Sequence, residues 1–253
     1  MKKLMFTAAA LMAGIAVADI QSSNIVGYAN GNINASGNNF VTAPFFGIGY
    51  NTTDIQDIKL TGSGGWQSET FEIWEGLPTL VDGTSFLWTG LEWNEDYSLA
   101  TKCEWQDDQG NPAVFSIPAG QAVTINADPS IGIENAGQVP MEKVEFTLAD
   151  GNNFTGNPFP AALDIQNIKI VGSAGWQSET FEIWEGLPTL VDGTSFLWTG
   201  LEWNEDYSLA TKCEWQDDQG NRAVFTLDPY QGCVIFGSAG LKVEITPPYE
   251  LAE

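Results

Sequence analysis

Residues 65–111 recur unchanged as residues 175–221, a 47-residue block at an offset of 110. A chain that carries one segment twice has to fold it twice, so any architecture must hold two like units. The match continues more loosely outward. Asp54-Ile55-Gln56-Asp57-Ile58-Lys59 answers Asp164-Ile165-Gln166-Asn167-Ile168-Lys169, and Ala113-Val114-Phe115 answers Ala223-Val224-Phe225. Gly37-Asn38-Asn39-Phe40 answers Gly151-Asn152-Asn153-Phe154 at an offset of 114, so the first copy holds four extra residues around Gly47–Thr52. Gln121 answers Gln231. The first unit is placed at 19–138 and the second at 139–253, each the size of one domain. Two copies that can each bury a core require no solenoid. Asp128–Val139, rich in Gly, Pro and Asn, reads as the linker.

Within the unit the pattern is short alternating segments with breakers between them. Thr70–Glu75 and Tyr97–Trp105 alternate with period two, which puts one face on a core and the other in solvent. Gly76-Leu77-Pro78, Val81-Asp82-Gly83 and Asp107–Asn111 interrupt them. Strands of this length and spacing predict an all-β chain of two tandem domains, β-sandwich or jelly-roll-like. Asp54–Leu60 fits either a short helical turn or a strand. No segment has the periodicity of an amphipathic helix.

Met1-Lys2-Lys3, an apolar run to Val17 and the exit Ala16-Val17-Ala18 describe a signal peptide over 1–18. The run is short of the roughly 20 residues a membrane span needs. The expected location is therefore extracellular, cell-surface or periplasmic, without membrane insertion. The chain has 33 acidic and 9 basic residues, a net charge of −24, and no histidine. So acidic a surface repels nucleic acid, whose binding requires Lys and Arg. Without histidine, Ser-His and Cys-His catalysis is excluded, as are the usual imidazole sites for zinc, copper and haem.

All ten tryptophans lie in the two identical blocks. An exposed indole stacks on a sugar ring through its π face, so the tryptophans whose parity points them away from the core face are the candidates. Trp74 and Trp184 point away from the face of Phe71 and Ile73, and are the first ligand-binding candidates. Trp66 and Trp176, after glycine-rich turns, come next. Trp88, Trp93 and Trp105 share faces with Phe86, Leu91 and Cys103 and are expected in the core. Glu92, Glu95 and Asp96, copied at Glu202, Glu205 and Asp206, cluster as a glycoside hydrolase's carboxylates would. In so acidic a chain such a cluster is common by chance, and no catalytic residue is assigned.

Asp107 and Asp108, with Asp217 and Asp218, place oxygens around a glycine turn. They fit either a weak calcium site or a plain hairpin turn, and lack the spacing of the helical calcium loop. Calcium is the one cofactor considered. Cys233 aligns with Val123, so the second unit alone can pair Cys213 with Cys233 if the two lie on neighbouring strands. That pairing would leave Cys103 unpaired, and the other pairings stay open.

The run Gly151-Asn152-Asn153-Phe154-Thr155-Gly156-Asn157-Pro158-Phe159-Pro160 resembles the G-x-N-x-x-G-N-P-F-P stretch of exported bacterial β-repeat proteins. Ile117-Pro118-Ala119-Gly120-Gln121-Ala122 resembles a strand of the same proteins, though no aromatic follows here. The opening Ser23–Tyr28 is similar to their start. The resemblance covers about a fifth of the chain and implies an exported β-sandwich with no enzymatic residues. Three functions are therefore expected in descending order. The first is a non-catalytic secreted or surface structural protein that associates with itself. The second is a carbohydrate-binding module with twin Trp sites for extracellular glycan. The third is a glycan hydrolase using Glu92 or Glu95.

Overall fold

The computed structural model describes residues 26–33, 37–74, 80–184 and 190–249, with the side chains of residues 73, 74, 80–84, 184 and 190–194 outside that description. The signal peptide assigned to 1–18 lies outside the described residues. Among the described residues no helix is long and apolar enough to cross a membrane.

The chain is all-β. The first half holds β1 (Val26–Asn32), β2 (Gly37–Thr42), β3 (Thr52–Asp54), β4 (Ile58–Thr61), β5 (Glu69–Trp74), β6 (Leu80–Trp93), β7 (Leu99–Gln106), β8 (Ser116–Pro118), β9 (Ala122–Ala127) and β10 (Gly132–Gln138). The second half holds β11 (Val144–Thr147), β12 (Gly151–Gly156), β13 (Leu163–Asp164), β14 (Ile168–Val171), β15 (Thr180–Trp184), β16 (Leu190–Trp203), β17 (Leu209–Gln216), β18 (Thr226–Leu227), β19 (Gly232–Gly237) and β20 (Lys242–Ile245). Each half pairs its strands the same way. A five-stranded antiparallel sheet runs β2-β9-β5-β6-β7, repeated as β12-β19-β15-β16-β17. A three-stranded sheet runs β1-β10-β4, repeated as β11-β20-β14, and a two-stranded ribbon β3-β8 is repeated as β13-β18.

In the first half Phe71, Trp88, Trp105 and Ile125 of the large sheet meet Ile58, Leu60 and Ile133 of the small one in one buried cluster. Trp88 and Trp105 pack edge to face at 5.2 Å, and Trp105 Nε1 donates to Ile58 O, so one indole ties the layers together. Truncating such a ring typically costs about 3–5 kcal/mol. Asp54–Leu60 is both things the sequence allowed: a 3-10 turn at Ile55–Asp57, then strand β4. The turn aims Gln56 at the large sheet. Its side chain donates to Trp105 O and Ala113 O and accepts from Trp105 N–H, and Gln166 repeats all three bonds.

The segment read as a linker is a strand. β10 is the central strand of its sheet, between β1 and β4. Its glycines and asparagine look like turn residues, but Ile131, Ile133 and Asn135 alternate inward and are buried. Asn135 is satisfied there: its Oδ1 accepts from Phe45 N–H, and its Nδ2 donates to Asp57 O.

The halves meet through equivalent residues. Phe40 stacks on Phe154, its own counterpart, at 5.0 Å. Val41 bridges to Gln231, and Thr155 bridges reciprocally to Gln121. This is the reciprocity of a twofold, self-complementary contact. Each half also lends an aromatic ring to the other's core: Tyr230 to the first cluster, Phe46 to the second.

Candidate functional site

Three exposed aromatics of the first half, Trp66, Trp93 and Tyr97, sit on the β6–β7 hairpin and the loop docked against it. A bulge shapes the hairpin: Thr89 pairs with Glu104 and Leu91 with Thr101, so Gly90 faces both Lys102 and Cys103. Cys103 takes a φ of +52°, and its carbonyl accepts a hydrogen bond from Lys59 Nζ. Bulges bend and twist the strands that carry them. Beyond this one, neither Leu91, Trp93 nor Leu99 joins the core cluster.

Trp93 is therefore 64% exposed, not buried as its parity with Leu91 predicted. Parity assigns a side chain to a face; it does not say whether an opposing layer covers that face. At the tip Asn94 N–H donates to Ser98 O and Tyr97 N–H to Asn94 O. Tyr97 sits at a φ of +62° with its ring 85% exposed. Asp96 accepts from the Ser98 hydroxyl and backbone N–H, which holds its carboxyl below the ordinary aspartate value.

The loop carrying Trp66 is pinned to the same hairpin. Gly90 N–H donates to Gly65 O, and a β-carbon on Gly90 would lie 2.5 Å from Ser63 O, so only glycine fits there. Behind the loop the buried Glu69 carboxylate accepts from Ser63 Oγ and Ser68 Oγ. Trp66 is left 63% exposed. Gly90 and Trp93 are three residues apart, roughly 10 Å along the strand. The second half repeats the arrangement with Trp176, Trp203 and Tyr207 all exposed.

Of the other candidates, Trp74 and Trp184 end β5 and β15, but their side chains lie outside the described residues. Trp88 and Trp105, with their copies Trp198 and Trp215, are fully buried. Glu92 forms an ion pair with Lys102 at 2.9 Å, copied by Glu202 and Lys212. Asp107 Oδ1 accepts from the Gln109 and Asn111 backbone N–H groups and Oδ2 from Asn111 Nδ2, so the turn is closed by its own carboxylate. Asp217 does the same. Asp108 and Asp218 are exposed beside them. Among the described residues no three metal-ligating side chains converge.

The Cys213–Cys233 disulfide is not formed; all three cysteines are free. Cys213 lies on β17 and Cys233 on β19, three positions apart in the sheet order. Three strand spacings are about 14 Å, and a disulfide requires Cα atoms within about 7 Å. The pairing assumed neighbouring strands, and strand order removes that.

No known protein family matches the chain, and no curated protein or solved structure is similar to it.

Proposed function

We propose that the protein is a non-catalytic binding protein that offers two like aromatic hairpins to extracellular glycan. One observation carries this reading: Trp93 and Tyr97 stand in solvent on a hairpin whose backbone is internally hydrogen-bonded, with Trp66 in solvent on the loop docked to it, and Trp203, Tyr207 and Trp176 repeat them. Large aromatics exposed together mark interaction surfaces. Their flat faces suit the C–H face of a sugar ring, and Glu95 and Asp96 at the tip offer acceptors to its hydroxyls.

One of the hairpin carboxylates argues against hydrolysis. A glycosidase keeps one carboxylic acid protonated. Here Asp96 is held in the opposite direction by Ser98. The acidic surface and the leader-like first 18 residues fit an exported location. The structural, self-associating role ranks second, because the β2 and β12 rims of the two halves already lie against each other.

Retention on insoluble polysaccharides tests the reading. The wild-type chain is expected to be retained on at least one, and a Trp93→Ala, Trp203→Ala variant of normal fold to wash through. Equal retention of the two proteins, or none by either, overturns it.

A further inference from the structure

The contact between the halves is built from equivalent residues, yet its two ends differ, and several of the differences open the same end. At the closed end Tyr230, at a φ of +68°, turns its ring into the first half and donates its hydroxyl to Ala29 O at 2.6 Å. The ring fits because residue 31 is glycine; a β-carbon there would lie 2.8 Å from Tyr230 Cδ2. At the other end the equivalent turn residue is Gly120, at a φ of +77°, and the residue equivalent to Gly31 is Phe146. The ring has moved from the turn to the strand. What remains is an open cleft of about 610 Å3 between the halves, walled by Pro118, Phe146 and Phe154.

Two side-chain amides differ in the same sense, although Thr155 Oγ1 donates to Gly120 O where its counterpart Val41 cannot. At the closed end Gln231 Oε1 accepts from Asp228 N–H, and Asn126 Nδ2 donates to Asn38 Oδ1. At the open end Pro118 stands where Asp228 would be and has no N–H to give, so the Gln121 amide is without that partner. Phe236 replaces Asn126 opposite Asn152, so that amide is without its partner too. Both free amides line the cleft, with Asp150 beside them and no lysine or arginine among the described residues.

We infer that this cleft is a second ligand site, for a neutral hydroxylated ring of one or two sugar units. The volume falls within the roughly 300–1,000 Å3 of small-molecule sites. The aromatic walls take a ring face, the two carboxamides both donate to and accept from hydroxyls, and Asp150 accepts. An anionic ligand would meet a carboxylate and no cation. The ligand class rests on the glycan reading above; the position does not.

The closed end supplies the test. Gly120→Tyr with Phe146→Gly copies into the open end the pair that already packs at the other. Binding of cellobiose, maltose and N,N′-diacetylchitobiose to the full chain is followed by saturation-transfer NMR and calorimetry. At least one is expected to bind the cleft of both the wild-type chain and the Trp93→Ala, Trp203→Ala chain, and in each background at least tenfold more weakly once the swap is added. Gln121→Ala with Asn152→Ala, which alters no packing in the core, is expected to show a similar loss and stands in if the swap does not fold. No binding of any of the three, or equal affinity in both cleft variants, overturns the proposal. Loss in the hairpin variant with retention in the cleft variants also overturns it, and leaves the hairpin reading standing.

Discussion

Replacing Tyr230 should invert the usual order of alanine and glycine. The ring is 5% exposed and belongs to the first half's core although its backbone belongs to the second. Truncation to alanine forfeits the packing of a buried aromatic, about 3–5 kcal/mol. Alanine also keeps a β-carbon at a φ of +68°, a left-handed conformation that costs a non-glycine residue roughly 1–2 kcal/mol. Glycine loses the same ring and is relieved of that strain, at an entropic cost of roughly 0.5–1 kcal/mol elsewhere. Tyr230→Gly is therefore expected to be the more stable of the two by up to about 1.5 kcal/mol. Tyr230→Phe loses only the bond to Ala29 O, about 1 kcal/mol. The order should be wild type, Phe, Gly, Ala. Urea unfolding followed by tryptophan fluorescence reads it, since Trp88, Trp105, Trp198 and Trp215 are fully buried. For a chain of this size 1 kcal/mol also moves Tm by about 2–4 °C. An alanine variant as stable as the glycine variant would refute the reasoning, because the backbone could not then be held left-handed at that residue.

Trp93→Ala and Trp203→Ala should shift the urea midpoint little, since both rings are about two-thirds exposed; a loss of more than about 1 kcal/mol would place them in the core. Cys233 is fully buried and its thiol is pushed up by burial, so a thiol reagent should spare it in the native protein and modify all three cysteines in denaturant. Early modification of Cys233 would contradict its position on β19. Glu145, between Lys143 and Lys242, has its carboxyl lowered from 4.5 to about 2 by those two ammonium groups. A group lowered on folding contributes stability above its unfolded value and loses it as pH falls. The difference in stability between wild type and Glu145→Gln should thus be constant above pH 4.5 and vanish toward pH 2. A difference that persists at pH 2 would exclude the ion pairs as its source.

Alternation made the strands around 70–105 readable, because each residue's face there depends only on its neighbours in sequence. β10 was hidden by composition: Gly132, Asn135 and Gly137 carry turn chemistry, and only the inward alternation of Ile131 and Ile133 betrays a strand. The exposure of Trp93 was hidden because parity says nothing about where the opposing layer ends. The separation of Cys213 from Cys233 depends on strand order, which two equivalent segments cannot disclose. The cleft was the least visible feature. Its parts are single departures from the repeat, Gly120 against Tyr230 and Phe146 against Gly31, and they gain meaning only when the two halves are seen to cross.

The outer strands β2 and β12 of the two large sheets lie against the opposite half. Sheet rims with unpaired amides and carbonyls are the places where chains recruit further strands. Here two such rims shelter each other, and a reciprocal pairing terminates at two members instead of propagating. The repeated unit is thus capped by its own copy, and a strand recruited from another chain would have to add at some other edge.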